Sequence, residues 1–336
     1  FCGRPCPLIR RHFASPDARR WRRWQLAAAM KWLRYLLAGA VLLSALAFAI
    51  VLLPAHLQIR SVEVSIPTAT ELDKVLDTIS AESYPGAIYF VNTARQSTMW
   101  GELGHLGVLL QWPDGKSFLI DTGMNAAEAT AFGRPLERLG AGPTETFGAL
   151  EKQLDGALDT IAGIGFTHLH QDHVASIARL CAAMTAPATI FQSAQQAGSH
   201  NLHTRAGQAL VTASNCQRQQ LESGVVKPVP GFPGLFAVAA GGHTPGSTIF
   251  ITRHGTDTWI FAGDITNAMV DIYDNRGKGF MYSYLLIPED TGVLAHWRQW
   301  LRAQDARDGV NVLVAHDINA FLASGLQLWR AGNSAR

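Results

Sequence analysis

Hydrophobic and polar positions alternate differently along three stretches of the chain. Tyr35 to Leu53 is 19 residues without a charge. That length spans a bilayer core of about 30 Å as a helix. Between Arg60 and Ile66 the period drops to two, with Val62, Val64 and Ile66 on one face, which predicts a half-buried strand. Beyond it, short apolar runs alternate with helical spacings. Val108–Trp112 and Ser117–Asp121 flank Pro113-Asp114-Gly115-Lys116, and Thr248–Arg253 and Trp259–Ala262 flank His254-Gly255-Thr256-Asp257. Both read as hairpins. Ile161–Phe166, Ala188–Gln192, Leu235–Ala239 and Val310–Ala315 read as further strands. Thr144–Leu158, Val174–Met184 and Thr291–Gln304 carry helical spacing. No repeat, low-complexity tract or clear linker follows residue 60. Strand and helix alternation gives the α/β class and leaves the topology open.

Charge divides the chain in the same place. Residues 1–34 hold nine Arg and Lys against Asp17, so with a whole-chain charge of +2 the remainder carries −6. An acidic body argues against nucleic acid as a partner. Basic residues crowd the amino side of the apolar run, and the positive-inside rule then puts the N-terminus in the cytoplasm and the body outside. Three segments follow: a basic segment over 1–34, a transmembrane signal anchor over 35–57, and a catalytic body over 58–336. The A-x-A triplets at Ala45–Ala47 and Ala47–Ala49 lie inside the apolar run, which favours an uncleaved anchor in the inner membrane over an exported soluble form. Met30-Lys31-Trp32 reads as a natural start, with residues 1–29 an over-extended translation or a cytoplasmic tail.

Four cysteines offer no CxxC pair. Cys181 and Cys216 read as two buried thiols, with a disulfide open if the body is exported.

The chemistry concentrates in Thr167-His168-Leu169-His170-Gln171-Asp172-His173, between a buried strand and a helix. Imidazole nitrogen and carboxylate oxygen are ligands that Zn²⁺ and related divalent ions accept. One such cluster cannot close two sites. Three further candidates follow in order, each after a strand: His243 in a glycine-rich turn, Asp264 after Phe261-Ala262-Gly263, and His316 after Val314-Ala315.

HxHxDH, a His in a G-H-T-P-G turn, A-G-D, and a His after the last strand resemble the ligand pattern of the metallo-β-lactamase superfamily, over about Gly107 to Asp317. The resemblance implies an αββα sandwich, two β-sheets with helices outside, preceded here by one transmembrane helix. It implies that His168, His170 and His243 hold one divalent ion, most simply Zn²⁺. Asp172, His173 and His316 hold a second, and Asp264 bridges. Asp121, in Phe118-Leu119-Ile120-Asp121-Thr122-Gly123, resembles the family's supporting Asp behind the metal loop. The implied chemistry is hydrolysis by a hydroxide shared between the ions, with Asp172 managing its proton. The pattern is closest to acyl-homoserine-lactone lactonases and glyoxalase-II-like thioesterases, so the substrate is a small ester, lactone or thioester. His316-Asp317 resembles the lactonases' H-D. Asn267 stands where those enzymes place a Tyr, leaving Tyr273, Tyr282 or Tyr284 as sources of a phenol. The alternatives are a mononuclear-iron enzyme resembling persulfide dioxygenases, or a β-lactam or phosphodiester hydrolase of the same fold. His105, His200 and His203 are not assigned to metal.

Overall fold

The computed structural model describes residues 16–99 and 101–330. Cys2, Cys6, His12 and the first part of the basic segment lie outside the described residues. The chain divides into two units, Phe1–Leu53 and Pro54–Arg336.

In the first unit, residues 16–53 are helical. Pro16–Ala47 is an α-helix and Phe48–Leu52 continues it as one wider turn. An apolar helix with no polar stripe has no reason to bend toward a core of its own. One helix among the described residues, Trp24–Arg60, is long and apolar enough to cross a membrane.

The second unit holds two sheets. Strands β1 (Ala87–Thr98), β2 (Gly101–Gln111), β3 (Ser117–Ile120), β4 (Glu145–Thr146), β5 (Ile161–Gly165), β6 (Thr189–Gln192) and β7 (Gln217–Gln220) belong to the first. Strands β8 (Val226–Pro228), β9 (Phe236–Ala239), β10 (Thr248–His254), β11 (Asp257–Phe261) and β12 (Val310–Leu313) form the second, and β13 (Gln327–Leu328) returns to the first. The order is β13-β1-β2-β3-β5-β6-β7, with β4 on β1, and β12-β11-β10-β9-β8.

Strand alternation sorts side chains into three apolar layers. Leu106, Val108 and Leu110 of β2 and Phe118 and Ile120 of β3 point inward, against Ala237, Phe250, Trp259 and Phe261 of the second sheet. Leu109 and Leu119 point outward, onto Leu150, Ile177, Leu180 and Val211. On the far side Val238, Ile249, Ile251 and Ile260 meet Leu72, Leu76, Leu294, Trp297 and Leu301. Helices therefore cover both outer faces, and the architecture is the αββα sandwich with mixed sheets.

Both hairpins form as the sequence predicts, β2–β3 and β10–β11. Three readings need correction. Arg60–Ile66 alternates as expected, but it joins no ladder. Arg60 closes a helix, Ser61 and Val62 turn, and residues 63–66 run outside any strand, with Val64 and Ile66 resting on the second sheet's outer core. Thr144–Leu158 is not one helix: it divides among β4, one turn at Leu150–Gln153, and the start of a 3₁₀ turn at Leu158–Thr160. Val174–Met184 breaks into Gln171–Val174 and Ile177–Ala183. Cys181 and Cys216 are joined as a disulfide with Cα atoms 5.5 Å apart. Their separation of 35 residues is closed by the helix Ile177–Ala183 lying against the entry to β7, which spacing alone does not reveal.

Candidate metal centre

The site forms at one edge of the sandwich, where β3, β5, β11 and β12 all end. β5 delivers Thr167–His170 as a buried loop, and His170 takes an extended conformation at the start of Gln171–Val174. This turn places His168 and His170 beside one another, rings at 4.4 Å, and swings Asp172 and His173 to the other side. Two residues past the end of β11 stands Gly263, whose φ of +59° and closeness to Thr167 exclude a side chain, since a Cβ there would fall 2.6 Å from the Thr167 Cβ. The next residue, Asp264, is thereby pressed into the cluster.

Asp264 divides its two oxygens. Oδ1 lies 3.5 Å from His173 Nε2 and 3.2 Å from His316 Nε2. Oδ2 lies 3.6 Å from His243 Nε2, which is itself 3.2 Å from His170 Nδ1. Asp172 Oδ2 completes the first of these groups, 3.6 Å from His173 Nε2 and 3.4 Å from His316 Nε2. A tetrahedral ion with bonds of about 2.0–2.1 Å spaces its donors about 3.3–3.4 Å apart. Donors packed this way around a centre, and not onto one another, fit a cation. His168 Nε2, His173 Nε2 and Asp264 Oδ1 are buried without any hydrogen-bond partner. Orphaned polar atoms of this kind cost stability unless something occupies the space between them.

Three of the rings, His173, His243 and His316, are anchored on the side away from the cluster. Asp121, at φ +59°, accepts from Thr167 N at 2.8 Å and Thr167 Oγ1 at 2.7 Å, and pairs with His173 Nδ1 at 2.9 Å. Glu289 Oε1 meets His243 Nδ1 at 2.6 Å, and the Gly104 carbonyl meets His316 Nδ1 at 2.6 Å. Each contact fixes the proton on Nδ1 and leaves Nε2 as the free donor.

Electrostatics agree. Asp121, Asp172, Asp264 and Glu289 are all buried. Burial opposes protonation of His173, but Asp172, Asp121 and Asp264 outweigh it and lift the imidazole to about 10. His316 rises likewise against its burial, through Asp264 and Asp172. Burial, then the neighbouring imidazoles, holds His168 and His170 well below the usual range. Burial and then Lys278 hold His243 low. Without an ion, protons collect where the carboxylates demand positive charge.

All seven residues expected as ligands therefore meet in one cluster, with Asp121 behind His173. Four residues at this cluster were not picked out as such from sequence. His105, on β2, brings Nδ1 to 3.4 Å from Asp172 Oδ2. Glu289 sits in a loop where a lone acid usually means a turn. Lys278, only 3% exposed in its side chain, brings Nζ to 3.5 Å from Asp264 Oδ2 and 3.6 Å from Glu289 Oε1. Tyr282 lies beneath that ammonium, with its ring centroid at 5.1 Å. Sequence held it only as one of three phenols. Tyr273 is occupied by Asp305 at 2.7 Å, and Tyr284 stacks on His56 at 5.5 Å. Asp317 caps Met269 and Ala320 backbone N–H groups. His203, not assigned to metal from sequence, is half-buried and stands edge-on to His170 at 5.9 Å.

A family model described as the metallo-beta-lactamase superfamily matches residues 100–316. No curated protein sequence matches the chain. Among solved structures, an N-acyl homoserine lactone hydrolase with the product N-hexanoyl-L-homoserine at its catalytic metal center is similar. It shares 16% identity at a TM-score of 0.52, over 72% of this chain and 98% of that one. A B. thuringiensis AiiA variant with N-decanoyl-L-homoserine at its active site shares 17% identity at a TM-score of 0.53, over 72% and 98%. At these identities the likeness is one of fold.

Proposed function

The chain belongs to the metallo-β-lactamase superfamily, and from that premise we propose that it is a dinuclear metal-dependent hydrolase of a small ester, lactone or thioester. The observation that carries the reading is the division of Asp264, whose Oδ1 faces His173 and His316 while Oδ2 faces His243. A mononuclear centre has no use for that division, which weighs against the iron-oxygenase alternative. His168, His170 and His243 would hold one ion, and Asp172, His173 and His316 the other. Divalent ions bound there, Zn²⁺ in the simplest case, lower the pKa of a water to about 7 and polarise a carbonyl oxygen.

The chain's own groups do the rest. Asp172 is kept ionised because His173, His105 and His316 together outweigh its burial, so it can accept a proton from the attacking water at a carboxylate oxygen. Asp121 and Glu289 hold His173 and His243 in the ligating tautomer. Lys278, the buried cation beside Asp264, offers a counter-charge where negative charge develops on the substrate. Tyr282 is the phenol nearest that position. The N-acyl homoserine lactones named for the first of the two structural neighbours are a rational first choice of substrate.

The helix over Tyr35–Leu53 serves in this reading as a single-pass anchor of the inner membrane, with the body outside. The Cys181–Cys216 disulfide agrees with an oxidising compartment.

The test uses the full chain in detergent. Elemental analysis after metal supplementation should give about two divalent ions per chain, and a screen of lactones, thioesters, phosphodiesters and a chromogenic cephalosporin should show turnover on the first two classes. One ion or none in folded protein refutes the dinuclear reading. Turnover confined to phosphodiesters or the cephalosporin refutes the substrate class.

A further inference from the structure

His105 lies one position away from the backbone that clamps His316. Gly104 N donates to the His316 carbonyl at 2.9 Å, and the Gly104 carbonyl meets His316 Nδ1 at 2.6 Å. Two residues beyond His105, Gly107 is pressed against the end of β3 so closely that a Cβ would fall 2.8 Å from the Asp121 carbonyl oxygen. The register of β1 on β2 shifts between Asn92 and Ala94, opposite Leu106 and His105. Such a bulge re-aims the side chains beside it. By alternation His105 points away from Leu106 and Val108, out of the core between the sheets, and toward the helix that carries Asp172.

The imidazole that arrives there is 2% exposed. Its ring is held edge-on by Phe132 at 5.3 Å and by His316 at 5.4 Å. Nδ1 has no hydrogen-bond partner. It lies 3.4 Å from Asp172 Oδ2, and His316 Nε2 lies 3.4 Å from that same oxygen. Nδ1, Asp172 Oδ2 and the His316 donor are all within 4.8 Å of one another. A hydrogen bond from imidazole to carboxylate closes to about 2.7–2.9 Å. The observed spacing is longer, and it falls within the 3.2–3.6 Å that separates the other donors of this cluster. It is the spacing of two ligands on one ion.

We propose that His105 is a further imidazole ligand of the metal centre, joining Asp172, His173 and His316 at the second ion. The proposal rests on the dinuclear reading above. It makes the two ions unequal. The first has His168, His170, His243 and one oxygen of Asp264. The second has the other Asp264 oxygen, Asp172 and three imidazoles, so its protein donors exceed a tetrahedral set. An ion that accepts five or six ligands suits that position better than tetrahedral zinc does. His105 would bind as the neutral imidazole through Nδ1, with its proton on Nε2.

The experiment loads the full chain in detergent with cobalt(II) alone, follows uptake to saturation, and counts the solvent-exchangeable, hyperfine-shifted imidazole N–H signals by proton NMR. Each ligating histidine contributes one. The wild type should show six, from His105, His168, His170, His173, His243 and His316. His105→Phe and His105→Gln should each show five, and in chelator competition each should bind the second ion at least about tenfold more weakly. Gln keeps a donor for Asp172, so it separates ligation from hydrogen bonding. Five signals in the wild type overturn the proposal, whether or not either variant folds. So does a Gln variant that restores wild-type affinity. Uptake of fewer than two cobalt ions by the wild type overturns the dinuclear reading and this proposal with it, whereas two ions with five signals overturn only this one.

Discussion

Asp121→Asn tests whether the centre depends on a proton held at the right nitrogen. Asp121 presents Oδ1 to Thr167 N at 2.8 Å, and Oδ2 to Thr167 Oγ1 at 2.7 Å and His173 Nδ1 at 2.9 Å. Asparagine keeps an oxygen for the backbone N–H and places an amide NH₂ where Oδ2 was. The Thr167 hydroxyl can rotate to accept from it. The imidazole can accept only by moving its proton to Nε2, the atom that faces Asp172 and Asp264. To go on ligating, His173 must instead leave two buried N–H groups facing each other, a penalty of about 1–3 kcal/mol. At 1.4 kcal/mol per decade this is about 5- to 140-fold in affinity for the second ion, which brackets the roughly 10- to 100-fold found when a metal-bound histidine loses its supporting carboxylate. The first ion, held through Glu289 and His243, should change by less than about threefold by the same reckoning. Chelator competition on metal-free protein reads both constants, with circular dichroism to establish folding. Retention of both ions at wild-type affinity refutes the tautomer argument. Equal loss of both refutes it too, because that would mean Asp121 supports the whole loop and not one ring.

Four further outcomes are expected. Asp172→Asn should cut hydrolysis of the best lactone or ester by about 10²-fold or more while affecting substrate affinity less; near-wild-type turnover with metal bound would remove Asp172 from proton transfer. Tyr282→Phe should lower kcat while Tyr284→Phe leaves it unchanged, since Tyr282 lies against Lys278 and Tyr284 against His56; equal effects would detach the phenol from the chemistry. In metal-free protein the raised pKa of His173, about 10 against 6.5, contributes stability that is complete below about pH 6.5 and lost as pH climbs through 10. Melting temperature of the apo form should therefore fall from pH 7 to 10, and a metal-loaded sample that falls in parallel would contradict ion–proton exchange at the site. Finally, protein expressed from Met30 in a Gram-negative host should fractionate with the inner membrane and lose its body to protease added to spheroplasts, whereas a soluble, protease-protected product would refute the anchor.

Local rules carried the sequence a long way here. The residues expected as ligands follow strand ends, and strand ends are marked by period and by glycine. His168, His170, Asp172, His173, His243, Asp264 and His316 could thus be placed in order before any packing was known. The hairpins and the apolar helix followed from turn chemistry and from length. What needed the tertiary structure were contacts between segments with no local signature. Glu289 meets His243 across 46 residues, and Lys278 reaches Asp264 from an irregular loop. A lone Glu or Lys has the same sequence appearance whether buried or solvated. The disulfide and the one-turn remnant at Leu150–Gln153 were likewise decided by which surfaces the sandwich brought together. His105 is the clearest case. Its place in a strand could be read from the chain, but its nearness to Asp172 depends on the strand register at a bulge, which sets the face and reach of a side chain and is encoded only in how β1 and β2 pack.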